Sequence, residues 1–236
     1  MAGNLYYLLA SLPGLGELGT APPMGFDELL DWLGPASRYS RLVGLVFLSD
    51  DLLQREAFLA GEVQQVAPSV LQLVQVRNEA PLPEFLVPPE VESETESGAL
   101  QTDLVWAAYF RHIAQTAQSE NSPFLDRWVR MEVALRNALA QERAKRLGLE
   151  ASEYLVAHEL ADPEADFTEM LREWASAPTP LAGWRVVLRN RWDWCRANEA
   201  WFSFTEDELL VYALRLLLLT QWQRSSEEQA ALAAKT

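Results

Sequence analysis

Cysteine is nearly absent from this chain, since Cys195 is the one cysteine among 236 residues. A single thiol excludes an internal disulfide and a metal site built from cysteines alone, and it is typical of a protein in a reducing, cytoplasmic setting. Cys195 falls on an apolar helical face, and this position favours a buried, inert thiol over a nucleophile.

Histidine is almost as scarce, and neither His112 nor His158 has a second histidine four residues away. The zinc-protease pattern and the Glu-x-x-His pattern of di-iron bundles are therefore both absent. The chain also contains no G-x-x-x-x-G-K-[ST] phosphate loop and no G-x-S-x-G nucleophile motif. We expect His112 to be a surface or hydrogen-bonded histidine, and we predict no metal, no cofactor and no catalytic residue.

Basic residues are outnumbered, with 19 Lys and Arg against 34 Asp and Glu and a net charge of −15. This balance argues against a nucleic-acid surface and against direct adsorption to anionic lipid. Long apolar runs are missing too: residues 209–219 are interrupted by Arg215 and fall short of the roughly 20 residues that a membrane span needs. We expect a cytoplasmic protein that reaches a membrane only through partner subunits.

Two short patterns resemble binding motifs without the context that such motifs require. Gly14, Gly16 and Gly19 have G-x-G-x-x-G spacing, but two prolines follow them where a dinucleotide site would need a helix, so we predict a loop. The adjacent acids Asp50 and Asp51 suggest a metal site, but no loop with ligand spacing surrounds them. We expect a solvated kink or an internal cap at these two acids.

The rest of the chain is patterned mainly as helix, which predicts an all-α fold of helical bundle domains built around a long central helix. A short β element is possible in the N-terminal part, where Val70, Gln72 and Val74 alternate. We predict a mainly helical part over residues 1–77, an acidic, proline-rich linker or loop over 78–98, a C-terminal helical bundle over 99–224 and a frayed tail over 225–236.

The predicted central helix is the segment 121–148, which has the clearest start and stop signals. Ser122 suits the N-cap position, Pro123 suits the first turn, and Gly148 can take the left-handed conformation that ends a helix. One face of this helix is apolar; its residues are Phe124, Leu125, Trp128, Met131, Leu135 and Leu139. Glu132 lies in the middle of that face, where a carboxylate needs a partner.

Arg191 is the candidate partner of Glu132, because it also interrupts an apolar helical face. We predict a buried ion pair that fixes the register of two helices, and the alternative is a general acid whose pKa is raised by desolvation. Trp192 and Trp194 lie off the apolar face of their helix. At least one of them is expected to be exposed and to contact a partner protein.

The central helix also carries a family resemblance, through the sequence NSPFLDRWVRMEVALRNALAQERAKRLG. It resembles an uncharacterised family encoded beside bacterial V-type ATPase genes, whose members are similar to a shortened form of the all-helical, C-type subunit of V-type ATPases (d-type in eukaryotes). Further similar segments are YYLLASLPGL near the N-terminus, the D-D-x-x-Q segment at Asp50, and the pattern from Trp192 to Leu216. The matching helix residues are Phe124, Trp128, Glu132, Leu135, Arg136 and Asn137.

The resemblance implies a non-catalytic assembly subunit of a V/A-type ATPase or ATP synthase. Such a subunit would link the central stalk to the membrane rotor ring, and it would be cytoplasmic and held at the inner membrane by its partner subunits. The motif residues are implied to serve structure and assembly. The alternatives from the residues themselves are a small helical enzyme that uses buried carboxylates such as Glu132, or a generic protein–protein adaptor.

Overall fold

The computed structural model describes residues 2–35, 37–87, 98–200 and 202–233. Over these residues the secondary structure is helical and contains no strand, which confirms the all-α fold class. The α-helices are α1 (Ala2–Ser11), α2 (Phe26–Leu33), α3 (Arg38–Leu59), α4 (Leu73–Val76), α5 (Gly98–Ser119), α6 (Pro123–Leu147), α7 (Thr168–Ser176), α8 (Pro180–Ala197) and α9 (Glu206–Ala233). Short 3-10 helices lie at Glu84–Leu86, Ala151–Tyr154 and His158–Leu160.

The chain forms two compact units that do not follow the predicted division at residues 77 and 98. Unit 1 combines Met1–Asp50 with Arg172–Thr236, and unit 2 is Asp51–Leu171. The boundary between Asp50 and Asp51 falls inside α3, which is continuous from Arg38 to Leu59. Sequence composition alone gives no signal there, because a helix interior has no loop to mark the division.

Unit 2 is built around α6, whose start and end agree with the predicted signals. Pro123 occupies the first turn, and Gly148 ends the helix with φ 67° while its amide bonds the carbonyls of Ala144 and Lys145. Ser122 is at the N-cap position, but its buried hydroxyl makes no hydrogen bond to the residues that the structure describes. Helix α6 packs against α5, and the fully buried residues of α6 include Phe124, Leu125, Val129, Val133 and Leu135.

Residues 78–87, the first part of the predicted linker or loop, are irregular apart from one 3-10 helix, and most of their side chains are exposed or half-buried. The 3-10 helix Glu84–Leu86 packs on α5, and the Leu86 side chain is fully buried. The Phe85 ring stacks on the His112 imidazole at 4.2 Å between ring centroids. Residues 88–97, the remainder of the predicted linker, lie outside the described residues.

The segment that was a possible β element is a turn followed by α4. Its alternating residues Val70, Gln72 and Val74 do not pair with another strand, since no strand occurs among the described residues. Val70 and Val74 are instead partly exposed beside the buried Leu71 and Val76. The expectation of a strand was therefore wrong.

Unit 1 is organised around α9, which packs against α8 and is buried over residues 209–211, 213–219 and 221. The helix continues to Ala233, although the tail was expected to fray from Ser225. Ser225 is buried, and its hydroxyl donates to the Trp222 carbonyl at 2.7 Å. Helix therefore extends into the predicted tail, and residues 234–236 are outside the described part.

The glycine-rich segment is a loop held against α9, as predicted. The Tyr212 hydroxyl donates to the Pro13 carbonyl at 2.9 Å. Gly19 has φ 103°, and a Cβ there would lie 3.3 Å from the Trp222 indole nitrogen, so the backbone conformation and the close approach both favour glycine. In the described part of the chain, no helix has both the length and the apolar character that crossing a bilayer requires.

Candidate functional site

The residues of the family-like motif are core and bracing residues of unit 2. Phe124 and Leu135 are fully buried, and Trp128 is nearly so. The Arg136 guanidinium bonds the Asp103 carboxylate at 3.1 Å and lies 4.6 Å from the centre of the Trp106 ring, which ties α6 to α5.

Asn137 ties α6 to the segment that follows the 3-10 helix Ala151–Tyr154. Its carboxamide oxygen accepts from the Val156 amide at 2.8 Å, and its nitrogen donates to the Val156 carbonyl at 3.0 Å. Both residues are buried, so the side chain satisfies two backbone groups that water does not reach.

Glu132 and Arg191 lie in different units. Glu132 is buried on α6 in unit 2, as its position on the apolar face predicted. Arg191 is half-buried on α8 in unit 1, with its guanidinium 5.5 Å from the centre of the Trp184 ring. The ion pair between them stays a prediction.

Asp50 and Asp51 are buried, which excludes the solvated kink, the first of the two alternatives expected there, and leaves the internal cap as a prediction. Asp51 accepts three backbone N–H bonds, from Ser69 at 3.0 Å, Val70 at 2.8 Å and Leu71 at 2.7 Å. Its carboxylate therefore organises the turn before α4. The two acids are part of the architecture, and among the described residues no group of three or more His, Cys, Asp or Glu side chains is arranged to hold a metal.

Asp50 hydrogen-bonds side chains of α9 within unit 1, whereas Asp51 hydrogen-bonds backbone amides of unit 2. The Asp50 carboxylate accepts from the Gln221 amide at 2.9 Å and the Arg224 guanidinium at 2.5 Å. The buried Asp50 carboxylate depends on these two donors. Loss of either donor would destabilise the protein, because part of a buried negative charge would then have neither water nor a hydrogen-bond donor.

Trp192 and Trp194, the candidate partner contacts, differ in how far they are buried. Trp192 is buried, and the Arg215 guanidinium lies 4.4 Å from its ring centre while bonding the Glu199 carboxylate at 2.6 Å. Trp194 is half-buried. Trp192 is therefore not exposed, because a cation from α9 covers its ring, and a partner contact at Trp194 stays a prediction.

Exposed aromatic side chains occur instead in the first helix of unit 1 and in the loop before α9. We call the exposed Tyr6, Tyr7 and Phe202, together with the half-buried Phe204, the aromatic surface. Phe202 is 80% exposed and Tyr7 73% exposed. The Tyr6 ring contacts the Phe204 ring at 4.4 Å and the Tyr7 ring at 5.6 Å between centroids. Large exposed aromatics in contact with one another are typical of protein-binding surfaces.

The loop that carries the two phenylalanines has a strained backbone. Phe202 has φ 57° and Phe204 has φ 51°, in the left-handed region that residues with a bulky Cβ substituent rarely adopt. This conformation costs about 1–2 kcal/mol per residue. Strained residues persist where surrounding contacts hold them, and they concentrate at functional sites.

Glu208 in the first turn of α9 holds this conformation. Its carboxylate accepts from the Phe204 amide at 2.7 Å and from the Phe202 amide at 3.2 Å. One carboxylate therefore accepts hydrogen bonds from both amides. These bonds attach the loop to α9, the central helix of unit 1. The exposed Phe202 ring is thus carried by a backbone whose amide hydrogen-bonds to α9.

Sequence reasoning missed the aromatic surface. The one available signal was the F-x-F pattern in the short connection between two helices. Nothing in that pattern indicates left-handed φ angles, which are usually signalled by glycine or asparagine. The contact between Tyr6 and Phe204 joins residues from opposite ends of the chain, so no local window contains it.

The stretch around the phenylalanines is acidic. Residues 198–208 contain Glu199, Glu206, Asp207 and Glu208 and no cation. Glu199 bonds Arg215, and Glu206 bonds the Arg38 guanidinium. Helix α1 carries no charged residue. Two of the four carboxylates are thus paired with arginines, and Glu208 accepts hydrogen bonds from the loop backbone.

Comparison with protein families found one match that covers most of the chain. A family model described as "Protein of unknown function (DUF2764)" matches residues 69–233. The matched range includes α6, α8, α9 and both phenylalanines of the aromatic surface. Searches of curated proteins and of solved structures returned no match.

Proposed function

We propose that this chain, which belongs to the DUF2764 family of proteins of unknown function, is a non-catalytic assembly subunit of a V/A-type ATPase or ATP synthase. In this proposal it links the central stalk to the membrane rotor ring. It acts in the cytoplasm and is held at the inner membrane by its partner subunits. The resemblance of the α6 sequence to proteins encoded beside V-type ATPase genes supports the identity of the complex.

The aromatic surface is the observation that carries the docking role. A subunit that joins other proteins needs a patch whose burial contributes binding free energy, and aromatic side chains are enriched among the residues that dominate such interfaces. Phe202 and Tyr7 are largely exposed, and the strained loop holds Phe202 in place. Ordering before binding reduces the entropy lost on association.

The polar motif residues of α6 support an architectural role for that helix. Arg136 is engaged by Asp103 and Trp106, and Asn137 by both backbone groups of Val156. These side chains fix α6 to its neighbours within unit 2. Under this proposal the motif maintains the scaffold, and partner subunits contact surfaces elsewhere.

The test is an affinity purification of the tagged protein from cells that carry its gene, with the ATPase stalk and ring subunits quantified in the bound fraction. We expect these subunits to be enriched with the wild-type protein and depleted with the Phe202→Ser variant. Trp32→Ser is the matched control, because Trp32 is another exposed aromatic of unit 1 outside the aromatic surface. A wild-type bound fraction without any ATPase subunit would contradict the proposal.

A further inference from the structure

We infer that residues 202–204 form a two-state loop, and that the Glu208 carboxylate holds this loop in its strained state. While Glu208 is engaged, Phe202 and Phe204 keep left-handed backbone conformations, and the Phe204 ring contacts Tyr6 of α1. When this carboxylate is lost, both φ angles become negative and the contact with Tyr6 breaks. As regulation of the aromatic surface, the inference rests on the proposed docking function.

The first step concerns the two hydrogen bonds that converge on Glu208. The Phe202 amide donates to Glu208 Oε1 at 3.2 Å, and the Phe204 amide donates to Glu208 Oε2 at 2.7 Å. Each carboxylate oxygen therefore has a backbone donor of its own. Backbone N–H groups that left-handed residues bring together form concavities that bind anions, and here the anion belongs to the same chain.

The second step concerns the free-energy balance of the loop. A left-handed conformation is unfavourable for each phenylalanine, because its Cβ approaches the following carbonyl oxygen. Hydrogen bonds to an ionised acceptor offset this cost, and the strain at two residues is comparable with the contribution of two such bonds. Loss of one bond is therefore enough to favour a relaxed loop.

The third step links the state of the loop to α1. The ring centroids of Tyr6 and Phe204 lie 4.4 Å apart, and those of Tyr6 and Tyr7 lie 5.6 Å apart. The direction of a side chain follows its backbone, so a change of φ at Phe204 moves its ring away from Tyr6. Glu208 therefore controls how the aromatic rings from the two ends of the chain are arranged on the aromatic surface.

The test is NMR spectroscopy of the full chain with isotope-labelled phenylalanine. A strong intraresidue cross-peak between the amide and α protons identifies a positive φ, and amide hydrogen exchange reports the hydrogen bonds. Phe202→Tyr and Phe204→Tyr assign the two amides. Glu208→Gln has nearly the same shape as wild type, but it turns an NH₂ group towards one of the backbone donors. Glu227→Gln, which removes a carboxylate bonded to Gln223 on the same helix, is the matched control.

We expect both phenylalanines to show the positive-φ cross-peak in the wild-type protein and in Glu227→Gln. In Glu208→Gln we expect this cross-peak to disappear and the two amides to exchange about tenfold faster, as the loss of a hydrogen bond to a charged acceptor implies. Adding Phe202→Asn to Glu208→Gln should restore the cross-peak at Phe204, because asparagine tolerates the left-handed region and lowers the total strain of the loop.

A wild-type protein without the positive-φ cross-peaks, or a Glu208→Gln variant that keeps them, would overturn the inference. Should Glu208→Gln fail to fold, Glu208→Asp replaces it, because the shorter side chain keeps the negative charge in the first turn of α9 but does not reach both amides. The same loss of the cross-peaks is expected, and their persistence in Glu208→Asp would equally overturn the inference.

The loop and the docking role fail separately, because the NMR measurement needs no partner. A wild-type protein that captures no ATPase subunit would contradict the docking role and leave the two-state loop. Equal capture by wild type and by Glu208→Gln with a released loop would overturn the regulatory part of the inference and leave the docking role.

Discussion

The side chain of Asn137 hydrogen-bonds both backbone groups of Val156, at 2.8 Å to the amide and 3.0 Å to the carbonyl. Val156 precedes Ala157, which has φ 45° and begins the turn into the 3-10 helix His158–Leu160. One side chain on α6 therefore fixes the path of a whole connecting segment of unit 2. Asn137 is the last residue of the family-like motif, and these two hydrogen bonds explain its structural role there.

The first prediction concerns this contact. Asn137→Ala removes two hydrogen bonds and leaves a buried N–H and a buried C=O without a partner, so we expect the free energy of unfolding to fall by about 2–4 kcal/mol. Urea unfolding followed by circular dichroism measures the change. Gln141→Ala, on the exposed side of the same helix, is the control and should stay within about 0.5 kcal/mol of wild type. Equal effects of the two substitutions would contradict the bracing role of Asn137.

A second prediction concerns Asp51, whose carboxylate accepts three backbone N–H bonds. Asp51→Asn keeps the volume of the side chain but turns an amide NH₂ towards backbone donors, so at least one bond is lost. We expect a destabilisation of about 2–4 kcal/mol in urea unfolding, since bonds to a charged acceptor are the stronger ones. Glu79→Gln removes an exposed carboxylate beyond α4 and should have little effect. An Asp51→Asn variant as stable as wild type would exclude this role for the carboxylate.

The pH dependence of stability gives a third prediction. Burial beside the Phe85 ring lowers the pKa of the His112 imidazole below its usual value of 6.5. The native state therefore resists protonation, and the stability present above pH 6.5 is lost as the pH falls through the lowered pKa. His112→Gln should flatten the fall in unfolding free energy below pH 6.5, and His158→Gln is the matched histidine control. Identical pH profiles for wild type and His112→Gln would refute the assignment.

Tyr212 provides a fourth prediction at the alkaline end. Burial, with a smaller effect from the Glu28 charge, raises the pKa of its hydroxyl from 10.0 to about 12. The native state keeps this phenol protonated where the unfolded chain ionises, so stability is lost as the pH rises above about 10. Ultraviolet titration should show delayed ionisation of Tyr212, and Tyr212→Phe should reduce the late amplitude by one tyrosine. An unchanged late amplitude in Tyr212→Phe would contradict the assignment.

Local signals predicted the elements that depend on neighbouring residues. Pro123 and Gly148 indicated the bounds of α6, and the prolines after the glycine pattern correctly indicated a loop. These features arise from backbone geometry within a few residues, which a sequence shows directly. The all-α class follows from the same kind of periodicity.

Features that depend on distant partners were not predictable in this way. The burial of Asp51 depends on amides 18 to 20 residues further along the chain, and that of Trp192 on Arg215 from another helix. Leu86 lies in a proline- and acid-rich stretch that composition identifies as a linker, yet its side chain is buried where the segment packs on α5. In each case tertiary packing overrides the local preference.

A substitution at Phe202 can remove the exposed ring without lowering the stability of the fold. Phe202 is 80% exposed and has φ 57°, so replacing it removes little buried area and can relieve strain. Asparagine is among the residues that best tolerate the left-handed region. Phe202→Asn should therefore unfold at the same temperature as wild type or a higher one, while it loses the ring that docking needs.

The most direct test of the docking role is the amount of ATPase stalk and ring subunits that tagged Phe202→Asn captures, relative to wild type at equal folded protein. We expect a clear loss of these subunits with a melting temperature that is unchanged or raised. Full capture by Phe202→Asn would contradict the claim that the strained aromatic loop is the binding surface.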